Sequence, residues 1–289
     1  MQILRRMSCS GKGAIVRLSV VGVPLLACRD AASGRRRRRG GACYRRGTGG
    51  LRGLASLRHV CCRSAPPPER SAAVTLAMDE YPSAPSDLQH LTLRTIGHYE
   101  ARAEAFRAGT RDHDVSQNID AMLSRITAPS PFTLLDFGCG PGRDLKALRA
   151  LGHTAIGLDG AATLAAMARA DTGCEVWHQN FLALDLPVAR FDGVFANASL
   201  FHVPRVALPR VLRQLHATLK PGGVLFSSNP RGNNEAGWYG DRYGVYHDLD
   251  AWRDFMTAAH FEELLVYYRP DGLPREQQPW LATVWRAVA

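Results

Sequence analysis

The chain has 289 residues, 46% hydrophobic and 21% charged, enough for one large globular domain or two small ones. No stretch approaches the roughly 18–20 uncharged apolar residues that a bilayer requires, so no membrane partner is expected. Of the net charge of +10, residues 1–77 hold +14 (15 Arg and Lys12 against Asp30 and Glu69) and residues 78–289 hold −4, which argues against nucleic acid as partner of the folded part.

Residues 1–77 read as a leader. Arg35–Arg39, abundant Gly, Ala and Ser, and Pro66-Pro67-Pro68 come with almost no periodicity. Like-charge repulsion and scarce apolar area predict disorder there. Three readings compete: a working chain that starts at Met78, an Arg-rich and acid-poor transit peptide in a eukaryotic source, or an export signal. Arg17 interrupts the apolar stretch ahead of Leu25-Leu26-Ala27-Cys28, which weighs against export. The first reading goes with a cytoplasmic location, the second with an organellar one. Five of the seven cysteines fall in this leader, and only Cys139 and Cys174 follow it, so a reducing compartment without a disulfide framework is expected. Cys61-Cys62 lacks C-x-x-C spacing and no His pair accompanies it, so no metal is expected.

Residues 78–130 predict helices. Leu91, Ile96, Tyr99, Ala103 and Phe106 recur at helical spacing, and so do Ile119, Met122 and Ile126 after Asp114-Val115-Ser116. From residue 131, short apolar runs (Phe132–Phe137, Ala155–Leu158, Glu175–His178, Gly193–Ala196, Val224–Ser227) alternate with helical segments from Arg143, over Ala161–Ala170 and over Val206–Leu219. That alternation predicts an α/β fold with a parallel sheet. After Pro230 the composition predicts a long Gly-, Asn- and Tyr-rich loop, then a helix over Leu249–Ala259. Two strands, Leu264–Tyr268 and Ala282–Ala287, follow around a Pro-rich turn and suit an antiparallel strand at the sheet's edge.

The strongest local signal is Leu134-Leu135-Asp136-Phe137-Gly138-Cys139-Gly140-Pro141-Gly142-Arg143-Asp144, an apolar strand running through Gly-x-Gly-x-Gly into a helix. Glycines allow a sharp turn and a close backbone approach to a ligand, which then sits over free N–H groups at a helix N-terminus. Asp159 ends the next apolar run, where a carboxylate can accept from both hydroxyls of a ribose. A dinucleotide fingerprint would be G-x-G-x-x-G; here the third glycine comes one residue early. Asp136 beside the loop suits a ligand bearing an ammonium group better than one bearing a pyrophosphate.

These residues resemble the first motif of the class I S-adenosylmethionine-dependent methyltransferases. Gly157-Leu158-Asp159 is similar to the acidic end of their second strand. Phe191–Asn197 is similar to their fourth-strand motif, and Leu219-Lys220-Pro221-Gly222-Gly223-Val224-Leu225 to the turn entering the fifth. The resemblance runs from about Leu91 to Ala287. It implies a Rossmann-like, seven-stranded, mostly parallel sheet with helices on both faces and an antiparallel edge strand over residues 131–289, behind a helical lid at 78–130. It also implies S-adenosylmethionine as cofactor and a small-molecule acceptor. Gly138, Cys139, Gly140 and Gly142 would then line the methionine part and the ribose, Asp136 would sit near the amino group, and Asp159 would hold the ribose hydroxyls. Asn180-Phe181 stands where the family often has an acid before an apolar residue contacting adenine; Asn is a departure, and Phe181 also suits core packing. Asn197 and Ala198, ending the fourth strand, are further cofactor contacts.

Methyl transfer from a sulfonium needs alignment and exclusion of water, and a general base only where the acceptor must lose a proton. His202, in the loop after the fourth strand, is a candidate base or a histidine bonded to backbone. Tyr99 is placed by the resemblance over the methionyl end. Arg107 and Arg111 are candidates for a substrate carboxylate. In the late loop, Arg231, Trp238, Tyr239, Arg242 and Tyr243 are candidate substrate contacts, and its two arginines invite an anionic substrate. A nicotinamide oxidoreductase and a non-catalytic S-adenosylmethionine-binding protein are the alternatives.

Overall fold

The structure, a computed structural model, describes residues 84–289; the readings of the leader, and Met78 with them, lie outside the described residues. Three helices, α1 (Pro85–Ala101), α2 (Ala103–Thr110) and α3 (Ser116–Leu123), come first. Then follow β1 (Thr133–Phe137), α4 (Arg143–Ala150), β2 (Thr154–Asp159), α5 (Ala162–Thr172), β3 (Val176–His178), β4 (Phe191–Asn197), α6 (Leu208–Thr218) and β5 (Leu219–Pro230). The chain ends with β6 (Glu235–Tyr239), β7 (Arg242–Tyr246), α7 (Leu249–Ala258), β8 (Phe261–Arg269) and β9 (Trp280–Ala287). Among the described residues no helix is long and apolar enough to cross a membrane.

β1 and β4 are apolar on both faces, which only a central position in a covered sheet satisfies. They lie side by side in a seven-stranded sheet of order β3-β2-β1-β4-β5-β9-β8. β1 pairs in parallel with β2 (Leu135 opposite Ile156) and with β4 (Leu135 opposite Val194). β9 runs antiparallel to β5 and β8, giving the antiparallel element expected near that edge. One face of the sheet packs on α6 and α7 through Val211, Leu215, Trp252 and Met256. The other packs on α3, α4 and α5 through Met122, Leu145, Leu148 and Ala165. Each of the Val, Leu and Met side chains among them contributes about 1.5–3 kcal/mol by leaving water. α5 stops at Gly173, whose φ of +66° is a left-handed cap.

Two expectations change. The helix expected through Leu91–Phe106 breaks at Arg102 (φ −123°, ψ 18°); beyond the break, Ala103 and Phe106 join Ala161 and Leu164 of the α5 entrance. The long loop after Pro230 contains a β-hairpin, β6 paired with β7 through a two-residue turn at Gly240-Asp241. Aromatic residues flank that turn and Gly240 takes a φ of +67°, both ordinary hairpin chemistry. The glycines and asparagines around them masked it. Tyr243 and Val245 of β7 bury against Leu91 of α1.

Candidate active site

The order β3-β2-β1-β4-β5 reverses direction between β1 and β4, and ligands of open α/β sheets bind at the carboxyl ends beside such a reversal. A cavity opens there, enclosing about 690 Å³ including space open to solvent. Its floor is the loop after β1, its walls are Asp159-Gly160-Ala161, Phe181-Leu182 and Ala198-Ser199, and its roof is α1 with Thr92, Thr95, Ile96 and Tyr99.

The loop after β1 is held where no side chain fits. Gly138 and Gly140 have φ of +81° and +53°, and a Cβ on Gly138 would lie 2.4 Å from Ser199 Cβ. Ser199 donates its hydroxyl to Phe137 O at 2.6 Å, tying the exits of β1 and β4 together. Asp159 spans the loops after β1 and β2: Gly140 N–H donates to Oδ2 and Ala161 N–H to Oδ1, each at 2.8 Å. Both oxygens keep a further lone pair for a ligand. Burial raises the Asp159 carboxyl above its ordinary pKa, against the two backbone bonds that lower it. Phe181 stacks on Phe137 with centroids 4.2 Å apart.

The roof carries a chain of side-chain bonds. His202 Nδ1 lies 2.6 Å from Tyr243 O. A carbonyl only accepts, so Nδ1 holds the proton and Nε2 is left as an acceptor. Tyr99 Oη, 2.9 Å from Nε2, therefore donates to it, and Arg242 Nη1 donates to Tyr99 Oη at a long 3.4 Å. Burial pulls His202 down to about 4, with Arg242 and His98 pushing the same way, and burial pushes the Tyr99 phenol up. The pair is neutral at pH 7.

The cavity thus gathers Tyr99, Gly138, Gly140, Asp159, Phe181, Ala198 and His202 from the expected set. Ala198 holds a φ of +61° at the end of β4. Other expected contacts stand elsewhere. Asp136 is buried beneath the loop, one carboxylate oxygen without a hydrogen bond. Burial and the neighbouring Asp144 hold its pKa well above the usual carboxylate range. Cys139 is buried. Gly142 faces α5, where a Cβ would come within 3.0 Å of Ala168 Cα, so it serves helix packing. Asn180 Oδ1 accepts from Leu182 N–H in a local turn. Asn197 donates to Asp144 and accepts from Asn118, which in turn accepts from Tyr267.

Among the substrate candidates, Arg242, Tyr243, Trp238 and Tyr239 lie on the hairpin. Tyr243 is buried and offers its backbone to Thr95 and His202. Trp238 lies under Arg94, 4.1 Å from ring centroid to guanidinium, and Tyr239 stacks on Tyr246. Arg231 is not Arg242's companion: it donates to Arg275 O beside Tyr268. Arg107 is taken by Glu104 and Asp171, and Arg111 by Asp112. Thr92, Thr95 and Ser199 were missed; Thr92, Thr95 and Ile96 share Tyr99's face of α1 at spacings of three and four, the one sequence signal that could have found the two threonines. Among the described residues no cluster of His, Cys, Asp and Glu could hold a metal ion.

A Rossmann-like fold with a glycine loop, a strand-end aspartate and a covered cavity defines a nucleoside-cofactor enzyme class. The family model described as a methyltransferase domain matches residues 107–273, more than half of the chain. The chain belongs to this family, within the class I S-adenosylmethionine-dependent methyltransferases, and the nicotinamide alternative falls away. A trans-aconitate 2-methyltransferase of Azoarcus sp. (strain BH72) is 35% identical over 118 residues, 39% of this chain and 45% of that protein. A malonyl-[acyl-carrier protein] O-methyltransferase of Enterobacter lignolyticus (strain SCF1) is 30% identical over 133 residues, 46% of this chain and 49% of that protein. The chain thus spans about half the length of the curated relatives it matches. Among solved structures, the Burkholderia thailandensis 1,6-didemethyltoxoflavin-N1-methyltransferase, with 1,6-didemethyltoxoflavin and S-adenosylhomocysteine bound, has a TM-score of 0.58. It is 22% identical, covering 72% of this chain and 92% of that one, a likeness of fold.

Proposed function

We propose that the chain binds S-adenosylmethionine between the loop after β1 and α1 and directs its methyl group to a small anionic acceptor. The observation that carries this reading is Asp159, fixed by two backbone N–H groups at the wall of the cavity with lone pairs to spare. Bound S-adenosylmethionine supplies an electrophilic methyl group on a sulfonium. The chain supplies the surroundings. Asp159 accepts from the ribose hydroxyls, Phe181, Leu182 and Leu164 give an apolar wall for the adenine, and the bare backbone of Gly138 and Gly140 lets the ligand lie close. α1 and Phe106 cover the site as a lid and exclude water, which strengthens every charge interaction inside. Asp136, buried beneath the loop, acts through the loop's position. The anionic acceptor is supported by the names of the relatives, since trans-aconitate and a malonyl group both carry carboxylates.

Calorimetry of the full chain with S-adenosylmethionine tests the reading, with Asp159→Ala and NADH as controls. Micromolar binding, weakened about tenfold or more in the variant and absent for NADH, is expected, each tenfold being about 1.4 kcal/mol. Binding that survives Asp159→Ala unchanged would sink it. Methyl transfer from labelled cofactor separates an enzyme from a silent binder.

A further inference from the structure

We infer that the edge of the sheet opposite the cavity carries a second ligand site, one that takes a phosphoryl group. This goes beyond the methyl-transfer reading and does not depend on it.

A groove of about 1090 Å³, including space open to solvent, lies at the amino ends of the strands, where Thr133 opens β1 and Thr154 opens β2. It shares no lining residue with the cavity at the carboxyl ends. Three basic side chains line it: Arg149 at the end of α4, His153 in the turn between α4 and β2, and Arg190 just ahead of β4. Each is held by a contact that leaves donors to spare. Arg149 Nη1 donates to Thr172 O, and among the described residues no carboxylate lies within ion-pair distance of Arg149. His153 stacks on Phe132 with ring centroids 4.8 Å apart, and its Nδ1 accepts from Phe132 N–H at 3.2 Å. The proton of that imidazole is therefore on Nε2, which has no acceptor among the described residues. Arg190 lies over the rings of Trp177 and Phe191, 5.3 and 5.7 Å from their centroids, which steadies the guanidinium and leaves its edges free.

Glu175 is the one acidic side chain among the lining residues. It meets Arg190 at 3.5 Å with side chains 54% and 39% exposed, a pair of little worth in water. Its other oxygen accepts from Trp177 Nε1 at 2.7 Å. The hydroxyls of Thr133 and Thr154, register partners across β1 and β2, make no hydrogen bond among the described residues. The groove thus offers two guanidiniums, an imidazole N–H and two hydroxyls against a carboxylate already in use. Helix C-termini, here those of α4 and α5, repel an anion through their unsatisfied carbonyls. At this groove Leu148 O and Arg149 O accept from the N–H groups of His153 and Gly152, and Thr172 O accepts from Arg149. That repulsion is blunted where the ligand would sit. A guanidinium fork takes two oxygens, so two forks and an imidazole ask for more than the two oxygens of a carboxylate. A phosphoryl group has three or more, and charge-assisted bonds to it are the strong ones.

Calorimetry of the full chain with pyrophosphate tests the site. A single site with Kd of about 1 mM or tighter is expected, unchanged by saturating S-adenosylhomocysteine. Arg149→Gln and Arg190→Gln should each weaken binding about fivefold or more, with the melting temperature of the unliganded chain unaltered. Should Arg149→Gln melt early for want of its bond to Thr172 O, Arg190→Gln decides. Citrate, a polyanion built of carboxylates, should bind at least fivefold more weakly than pyrophosphate. Inorganic phosphate and ribose 5-phosphate then tell a free ion from a phosphorylated metabolite, and tighter binding of either one supports the site. No binding near 1 mM, competition with S-adenosylhomocysteine, citrate binding as tightly as pyrophosphate, or unaltered affinity in Arg190→Gln would each overturn the inference.

Discussion

The cavity's floor, at β1, β2 and β4, is held by strands paired in register, whereas its roof, α1, is held to the β6–β7 hairpin behind it and to His202 by side chains reaching across more than a hundred residues of sequence. On the floor Gly138 N–H and Cys139 N–H both donate to Leu158 O, extending the β1–β2 pairing into the loop. On the roof Thr95 meets Tyr243 N–H, 148 residues away, and Tyr99 meets His202, 103 residues away. Floor bonds belong to a sheet buried on both faces. Roof bonds join two elements that share a small apolar cluster, Leu91 with Tyr243 and Val245, separate from the sheet's own core, so they are expected to open for a ligand before the sheet does.

The largest effect is expected on the floor. Gly138→Ala puts a Cβ 2.4 Å from Ser199 Cβ at a φ of +81°. Left-handed backbone costs an alanine about 1–2 kcal/mol and relief of the overlap about 1–3 kcal/mol. Thermal unfolding should show a loss of about 2–5 kcal/mol, and calorimetry no cofactor binding. Adding Ser199→Gly removes the overlap but leaves the backbone penalty and deletes the Ser199 hydroxyl's bond to Phe137 O, a further loss of about 1 kcal/mol, so less than half the stability should return. A full return would mean that backbone conformation at Gly138 costs nothing.

Acid should separate the two regions next. Burial lowers His202 and His247 to about 4 from the ordinary 6.5. A group with a depressed folded-state pKa that must charge on unfolding favours the fold above 6.5, and that contribution is lost as pH falls toward 4. The linkage gives about 2 kcal/mol for each by pH 5. Both residues flank β7, so amide exchange of the hairpin should accelerate between pH 6.5 and 4.5, before that of β1 and β4. His202→Asn should flatten the roof's share of the trend; equal acceleration everywhere would refute the separation.

The same contrast sets what could be read from residues alone. Gly138, Gly140 and Asp159 were legible because backbone shape and a strand-end acid are local requirements. The strand–helix alternation was legible because burial on both faces leaves continuous apolar runs, and helices their period. Asn180 and Asn197 were drawn to the cofactor by position, yet a strand-end amide has many possible partners, and here neighbouring side chains and backbone took them. Arg231 and Arg242 looked like a pair because they are close in sequence; the hairpin between them sends one to Arg275 and the other to Tyr99. Ser199 had no local signal, since it matters only through Phe137 O, which the fold brings to it; Thr95 could be placed on Tyr99's face of α1 by its spacing, but not as the acceptor for Tyr243 N–H.

Thr95→Val makes the smallest change and asks the most of the comparison. Thr95 Oγ1 donates its proton to Leu91 O at 2.9 Å, so its lone pair is what receives Tyr243 N–H at 3.0 Å. Valine keeps the shape and removes the acceptor. The Tyr243 N–H, buried between α1 and β7, is then left without that bond, a loss of about 1 kcal/mol. Because α1 and β7 also share Leu91, Tyr243 and Val245, the fold should survive with a melting temperature lowered by only a few degrees. Exchange of the Tyr243 amide should quicken about fivefold or more while amides of β1 stay as they were. Tyr243 O holds His202, which holds Tyr99, so a looser β7 should also raise KM for the acceptor more than it weakens cofactor binding. If instead β1 amides quickened in step, roof and floor would open as one unit, and the distinction between a fixed floor and a separately opening roof would be lost.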